Sequence, residues 1–103
     1  MNDKSYEVYA TDSFKRLFET LDKDEQNWID KIKDNLEEAI TGKPLQFNWF
    51  REKKYLNKRL YYLIDKSQKK ILLVSFASKK DQQKEIDFII ENKDKFFNLL
   101  RSA

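Results

Sequence analysis

The chain has 103 residues, enough for one domain spanning 1–103, and carries 21 Lys and Arg against 18 Asp and Glu with no cysteine and no histidine. Those two absences exclude disulfides, thiolate metal sites and thiol nucleophiles, and they remove the commonest general acid/base and the commonest metal ligand at neutral pH. No apolar run approaches the ~20 residues that span a bilayer, and the first ten residues have no apolar signal core, so the sequence predicts a cytoplasmic protein with no membrane partner.

Residues 5–10 form a strand candidate, with Tyr6, Val8 and Tyr9 suited to a pleated surface. Thr11 or Asp12 caps a short helix whose Phe14, Leu17, Phe18 and Leu21 follow helical spacing. Asp22 with Glu25 three residues on forms a capping box for a second helix, along which Trp28, Ile29, Ile32, Leu36, Ala39 and Ile40 make one apolar stripe. Gly42 and Pro44 end that helix. From Phe47 the period becomes two, with Phe47, Trp49 and Arg51 alternating against Asn48, Phe50 and Glu52, then a polar link over 53–58 and a second strand alternating through Arg59, Tyr61 and Leu63. A turn over 65–70 leads to the apolar run 71–76, which reads as a central strand covered on both faces. Ser78 and Asp81 resemble another cap, opening a terminal helix with Ile86, Ile89, Ile90, Phe96 or Phe97, and Leu100 inside. The expected fold is α+β, in the order β-α-α-β-β-β-α, with a mostly antiparallel four-stranded sheet.

Charge is segregated along this order. Residues 43–80 hold eleven Lys and Arg against two acids, whereas residues 1–42 hold six bases against eleven acids. A concentrated basic region on a small domain is the electrostatic footprint of a polyanion-binding surface. The carboxylates make no metal set by spacing, so neither a metal nor another cofactor is expected.

The order of elements, with GKPL at 42–45, WFREKKYLNKRLYYLID at 49–65 and ILLVSFASKKDQQKEID at 71–87, resembles the RelE/ParE superfamily of toxins from type II toxin-antitoxin systems, in particular a RelE-like branch that is often archaeal. The resemblance implies a compact α+β toxin that enters the ribosomal A site and cuts messenger RNA without a metal, the ribose 2′-hydroxyl attacking the adjacent phosphate. It also implies a cognate antitoxin that holds the enzyme inactive, the toxin being monomeric or part of a toxin-antitoxin hetero-oligomer. By position, Arg51, Lys53, Lys54, Arg59 and Lys80 fall where the family carries its basic catalytic residues. The chain departs from the family in two places: no tyrosine follows Tyr62, and Lys80 stands where RelE-type enzymes place an arginine.

Within that reading Arg51 and Arg59 suit a phosphate clamp, because guanidinium matches phosphate geometry, and Lys53 or Lys54 is the candidate base if neighbouring cations lower its pKa. Lys58, Lys79, Lys66, Lys69 and Lys70 are candidate RNA contacts. Solvated edge charges that block sheet-to-sheet association account for such lysines equally well. Tyr61 and Tyr62 face opposite sides of their strand, so at most one is expected in the core; Trp28 is expected to be core, while Trp49 or Phe50 can pack or stack on a base. Two other classes stay open: a ParE-like or catalytically degenerate toxin that binds a protein such as DNA gyrase, and a nucleic-acid-binding module without turnover.

Overall fold

The computed structural model describes residues 5–103. A five-stranded sheet has the order β1-β5-β4-β3-β2, built from β1 (Glu7–Ala10), β2 (Lys43–Leu45), β3 (Phe47–Tyr55), β4 (Lys58–Asp65) and β5 (Lys70–Ser78). Helices α1 (Asp12–Thr20) and α2 (Lys23–Glu38) lie between β1 and β2, and α3 (Gln82–Glu91) and α4 (Lys93–Arg101) follow β5 through a 3-10 turn at Lys79–Asp81. Only the β1–β5 pair is parallel; the other three are antiparallel.

Local signals set the helix starts. The Thr11 hydroxyl accepts from the Phe14 amide at 3.0 Å. At α2 the capping box is complete, the Asp22 carboxylate accepting from the Glu25 amide at 2.8 Å and the Glu25 carboxylate from the Asp22 amide at 3.2 Å. The α1 and α2 stripes then close over one face of the sheet, burying Phe14, Ile29, Ile32 and Leu36 against Leu60, Tyr62, Ile64, Ile71, Leu73 and Phe76. The opposite face carries a smaller core of Phe50, Tyr61 and Leu63 under Ile89 of α3 and Phe97 of α4. Among the described residues no helix is long and apolar enough to cross a membrane.

The architecture is the expected α+β with three corrections. The sheet has a fifth strand, β2, where Gly42 and Pro44 promised only a helix stop; a proline is compatible with an edge strand because its missing N–H faces outward. The terminal helix is two helices, broken at Asn92, whose side-chain amide donates to the Phe88 carbonyl at 2.9 Å. The strand covered most completely is β4, at the centre of the sheet, with β5 beside it.

Both Tyr61 and Tyr62 are fully buried, against the expectation of at most one, because helices cover both sheet faces. A register shift between them pairs Tyr61 with Ser75 but Tyr62 with Leu73. Trp28 is half-buried rather than sealed in, lying 4.9 Å from the Tyr55 ring and 6.1 Å from Phe76. Trp49 departs from simple alternation: it stacks on Phe50 at 5.5 Å and meets Phe97 edge-on at 5.6 Å.

Candidate nucleic-acid interface

The link expected over 53–58 is almost entirely strand. β3 runs to Tyr55, Tyr55 pairs with Lys58, and the turn is only Leu56 and Asn57. Lys54 is thereby placed opposite Arg59, and Glu52 opposite Tyr61. By alternation these pairs share the face of Phe50 and Leu63, on the α3 side. Arg51 opposite Tyr62, and Lys53 opposite Leu60, belong to the other face.

The candidate cations thus divide. Arg51 donates from Nη1 to the Gly42 carbonyl and from Nε to the Asn48 carbonyl, each at 3.3 Å, which ties β3 to its own edge. Lys53 reaches the Thr41 hydroxyl at 3.4 Å. Lys54 is exposed, while Arg59 is only 7% exposed, its guanidinium donating to the Lys58 carbonyl at 3.1 Å. A groove of about 480 Å³ brings Lys43, Lys53, Lys54 and Arg59 together with Glu52 and Gly42, leaving Arg51 outside its lining. Lys79 and Lys80 border a neighbouring hollow of about 580 Å³ with Asn57 and Ser78.

The remaining basic residues have other surroundings. Lys58 is ion-paired with Glu25 at 2.5 Å and lies 5.2 Å from the centre of the Phe76 ring, so it fastens the hairpin to α2. Lys70 donates to the Ala103 carbonyl at 2.9 Å. Lys66 and Lys69 are exposed on the β4–β5 turn, at the opposite end of β4 from Arg59.

Glu52 and Tyr61 were not singled out by the sequence as site residues. Glu52 is 8% exposed, its carboxylate accepting from the Gln82 side chain at the start of α3 at 3.0 Å. The Tyr61 hydroxyl is buried with no hydrogen-bond partner among the described residues. Its pKa is pushed up to about 12, chiefly by burial and then by Glu52, with Glu85 adding and Arg59 opposing. Ser75 meanwhile donates to Glu85 at 2.6 Å. The clue to Glu52 was its alternation with buried Phe50, which puts a carboxylate on the inner face. A carboxylate beside a buried guanidinium and an exposed ammonium can accept a proton, hold a phosphate and donate a proton within one small area. Among the described residues no group of three or more carboxylates stands close enough to hold a metal ion.

No family model matches the sequence, and no curated protein is detectably similar to it. Solved structures are another matter. The RelE chain of an archaeal RelE–RelB complex from Pyrococcus horikoshii superposes with a TM-score of 0.61 at 14% identity, over 72% of this chain and 94% of that one. The chain has the RelE fold. The Mycobacterium tuberculosis toxin-antitoxin complex RelBE2 gives 0.60 at 20% identity, over 75% and 97% of the two chains. A mutant of the Escherichia coli RelE toxin in the free state gives 0.63 at 14% identity, over 72% and 83%.

Proposed function

We propose that this chain is a RelE-like toxin, a ribosome-dependent endoribonuclease that cleaves messenger RNA in the A site and is neutralised by a cognate antitoxin. The observation that carries the reading is the Lys54–Arg59 pair beside Glu52 on one groove of a RelE fold. Arg59 and Lys54 hold the scissile phosphate and stabilise the charge that grows on it as the 2′-oxygen attacks. The Glu52 carboxylate, released from Gln82, takes the 2′-hydroxyl proton, the role left open between Lys53 and Lys54 in the sequence. The bond to the 5′-oxygen breaks, Lys54 supplies the proton to that oxygen, and a 2′,3′-cyclic phosphate remains. This needs no metal, because the charge is balanced by preorganised cations. Lys43, Lys53, Lys79 and Lys80 guide the flanking phosphates. Arg51, held on two carbonyls, shapes the edge of the groove.

The test is toeprinting of a defined message in translation extract. Wild type is expected to produce breaks only on translated message. Arg59→Ala is expected to lower their rate by about 10²- to 10³-fold, the usual consequence of deleting one donor to a transition-state oxyanion. Glu52→Gln is expected to abolish the breaks while leaving ribosome binding intact. No breaks from wild type on active ribosomes overturns the nuclease reading. It would leave a toxin that binds a protein target such as DNA gyrase, or a nucleic-acid-binding module without turnover.

A further inference from the structure

The tip of the β3–β4 hairpin is anomalous in two independent ways. Leu56 is 75% exposed, the most exposed large apolar residue among those described. It also sits at φ +54°, in the left-handed region, at the first position of a two-residue turn where Gly, Asn or Asp is favoured. A lone exposed leucine is ordinary, and so is a positive φ in a turn. An apolar side chain held in a disfavoured backbone conformation and turned to solvent is not, since asparagine or glycine at the same place would relieve the backbone and the exposure together. Among the described residues, the other two non-glycine positions with positive φ are polar, Gln46 and Lys69.

The tip is also braced. Tyr55, just before it, lies against Trp28 at 4.9 Å, Lys58, just after it, is ion-paired with Glu25, and the Asn57 carbonyl accepts from the Lys79 amide at 2.7 Å. That last bond joins the tip to the turn carrying Lys79 and Lys80, while Lys54 stands two residues ahead of Leu56. An exposed apolar tip with an exposed Lys54 two residues before it, and with exposed Lys79 and Lys80 on the turn bonded to Asn57, matches a polyanion that also offers flat apolar faces.

We propose that Leu56 is a wedge that inserts between adjacent bases of single-stranded RNA whose phosphates lie along Lys54, Lys79 and Lys80. The inference rests on the RNA reading of the groove and deepens it. Inserted apolar side chains unstack the base step they enter, so the wedge would open the strand next to the Lys54–Arg59 pair and present a splayed nucleotide to it.

The probe is a short single-stranded RNA with 2-aminopurine at its centre, whose emission rises when the base is unstacked. Wild type is expected to bind in a salt-dependent way and raise the emission. Leu56→Asn is expected to melt about 4 °C higher, because backbone strain is relieved, yet to bind about tenfold more weakly, the worth of one lost apolar contact, without the emission rise. Leu56→Met is expected to keep both binding and signal. Equal affinity and equal emission for wild type and Leu56→Asn overturn the wedge. Salt-dependent binding by wild type with no emission rise overturns the wedge and leaves the RNA reading standing. No RNA binding by wild type overturns both, and points to a protein as the partner of the hairpin tip.

Discussion

Tyr61 and Tyr62 follow one another on β4, are equally buried, and have hydroxyls pushed up to about 12 by that burial, yet they end in opposite circumstances. Tyr62 points into the core beneath α1 and α2 and donates to the Thr41 carbonyl at 2.5 Å. Tyr61 points under α3 among Glu52, Arg59 and Glu85 and donates to nothing among the described residues. One face of the sheet is satisfied. The other holds charge and an unspent donor beside an open groove, an arrangement that costs stability and is kept where a site needs polar groups ready.

The contrast is broken most severely at Gly42. Its φ is +100°, and a Cβ there would come within 2.0 Å of the Tyr62 hydroxyl oxygen. Gly42→Ala is expected to cost about 3 kcal/mol, from strain and overpacking together, read as a fall in Tm of more than about 10 °C. Adding Tyr62→Phe should recover part of that loss, a non-additivity that a double-mutant cycle measures. Full additivity would mean that the hydroxyl is not what meets the new methyl.

A smaller pair of changes compares the hydroxyls directly. Tyr62→Phe is expected to cost about 1 kcal/mol in urea unfolding, since it leaves the Thr41 carbonyl without its donor. Tyr61→Phe is expected to be neutral or slightly stabilising, because it removes a buried polar group that has no partner. Equal losses at the two positions would erase the distinction between the faces.

Two carboxylates on the sheet repeat the comparison with the smallest effect. Glu52 has the single amide of Gln82. Asp65 is saturated: burial alone would raise its pKa, but hydrogen bonds from Ser67, Arg101 and the Gln68 amide outweigh it and hold the carboxyl below its ordinary 3.8. The folded chain therefore resists protonation more than the unfolded one. The stability from Asp65 is complete above the ordinary carboxylate range and is lost as pH falls below it, through the folded value. Asp65→Asn is expected to lower stability at neutral pH and to flatten the acid limb in urea unfolding between about pH 6 and about pH 2. An unchanged acid limb would remove Asp65 from the account.

What the sequence made legible was local or periodic. The caps at Thr11 and Asp22 depend on residues three apart, and the apolar stripes and the 71–76 run declare their own burial. β2 was hidden because three residues including Pro44 carry no strand period of their own; they are extended only because β3 lies beside them. The two tyrosines were misjudged because alternation says which residues share a face and not whether that face is covered. The candidate site was legible as a set of cations and illegible as a geometry. Reading 53–58 as a link concealed the pairing that sets Lys54 against Arg59 and separates both from Arg51.

The parallel pairing of β1 with β5 also imposes an order on folding. Val8 meets Ile71 and Ala10 meets Leu73, so β1 waits for a partner that follows α1, α2 and β2 to β4 along the chain, and that long loop must close before the contacts reward it. Until β5 emerges, the apolar faces of α1 and α2 lack half the surface they cover. A chain cut before Lys70 keeps every residue that lines the Lys54–Arg59 groove but leaves β1 without a strand to pair with and β4 open along one edge, so the groove is made before the sheet that supports it.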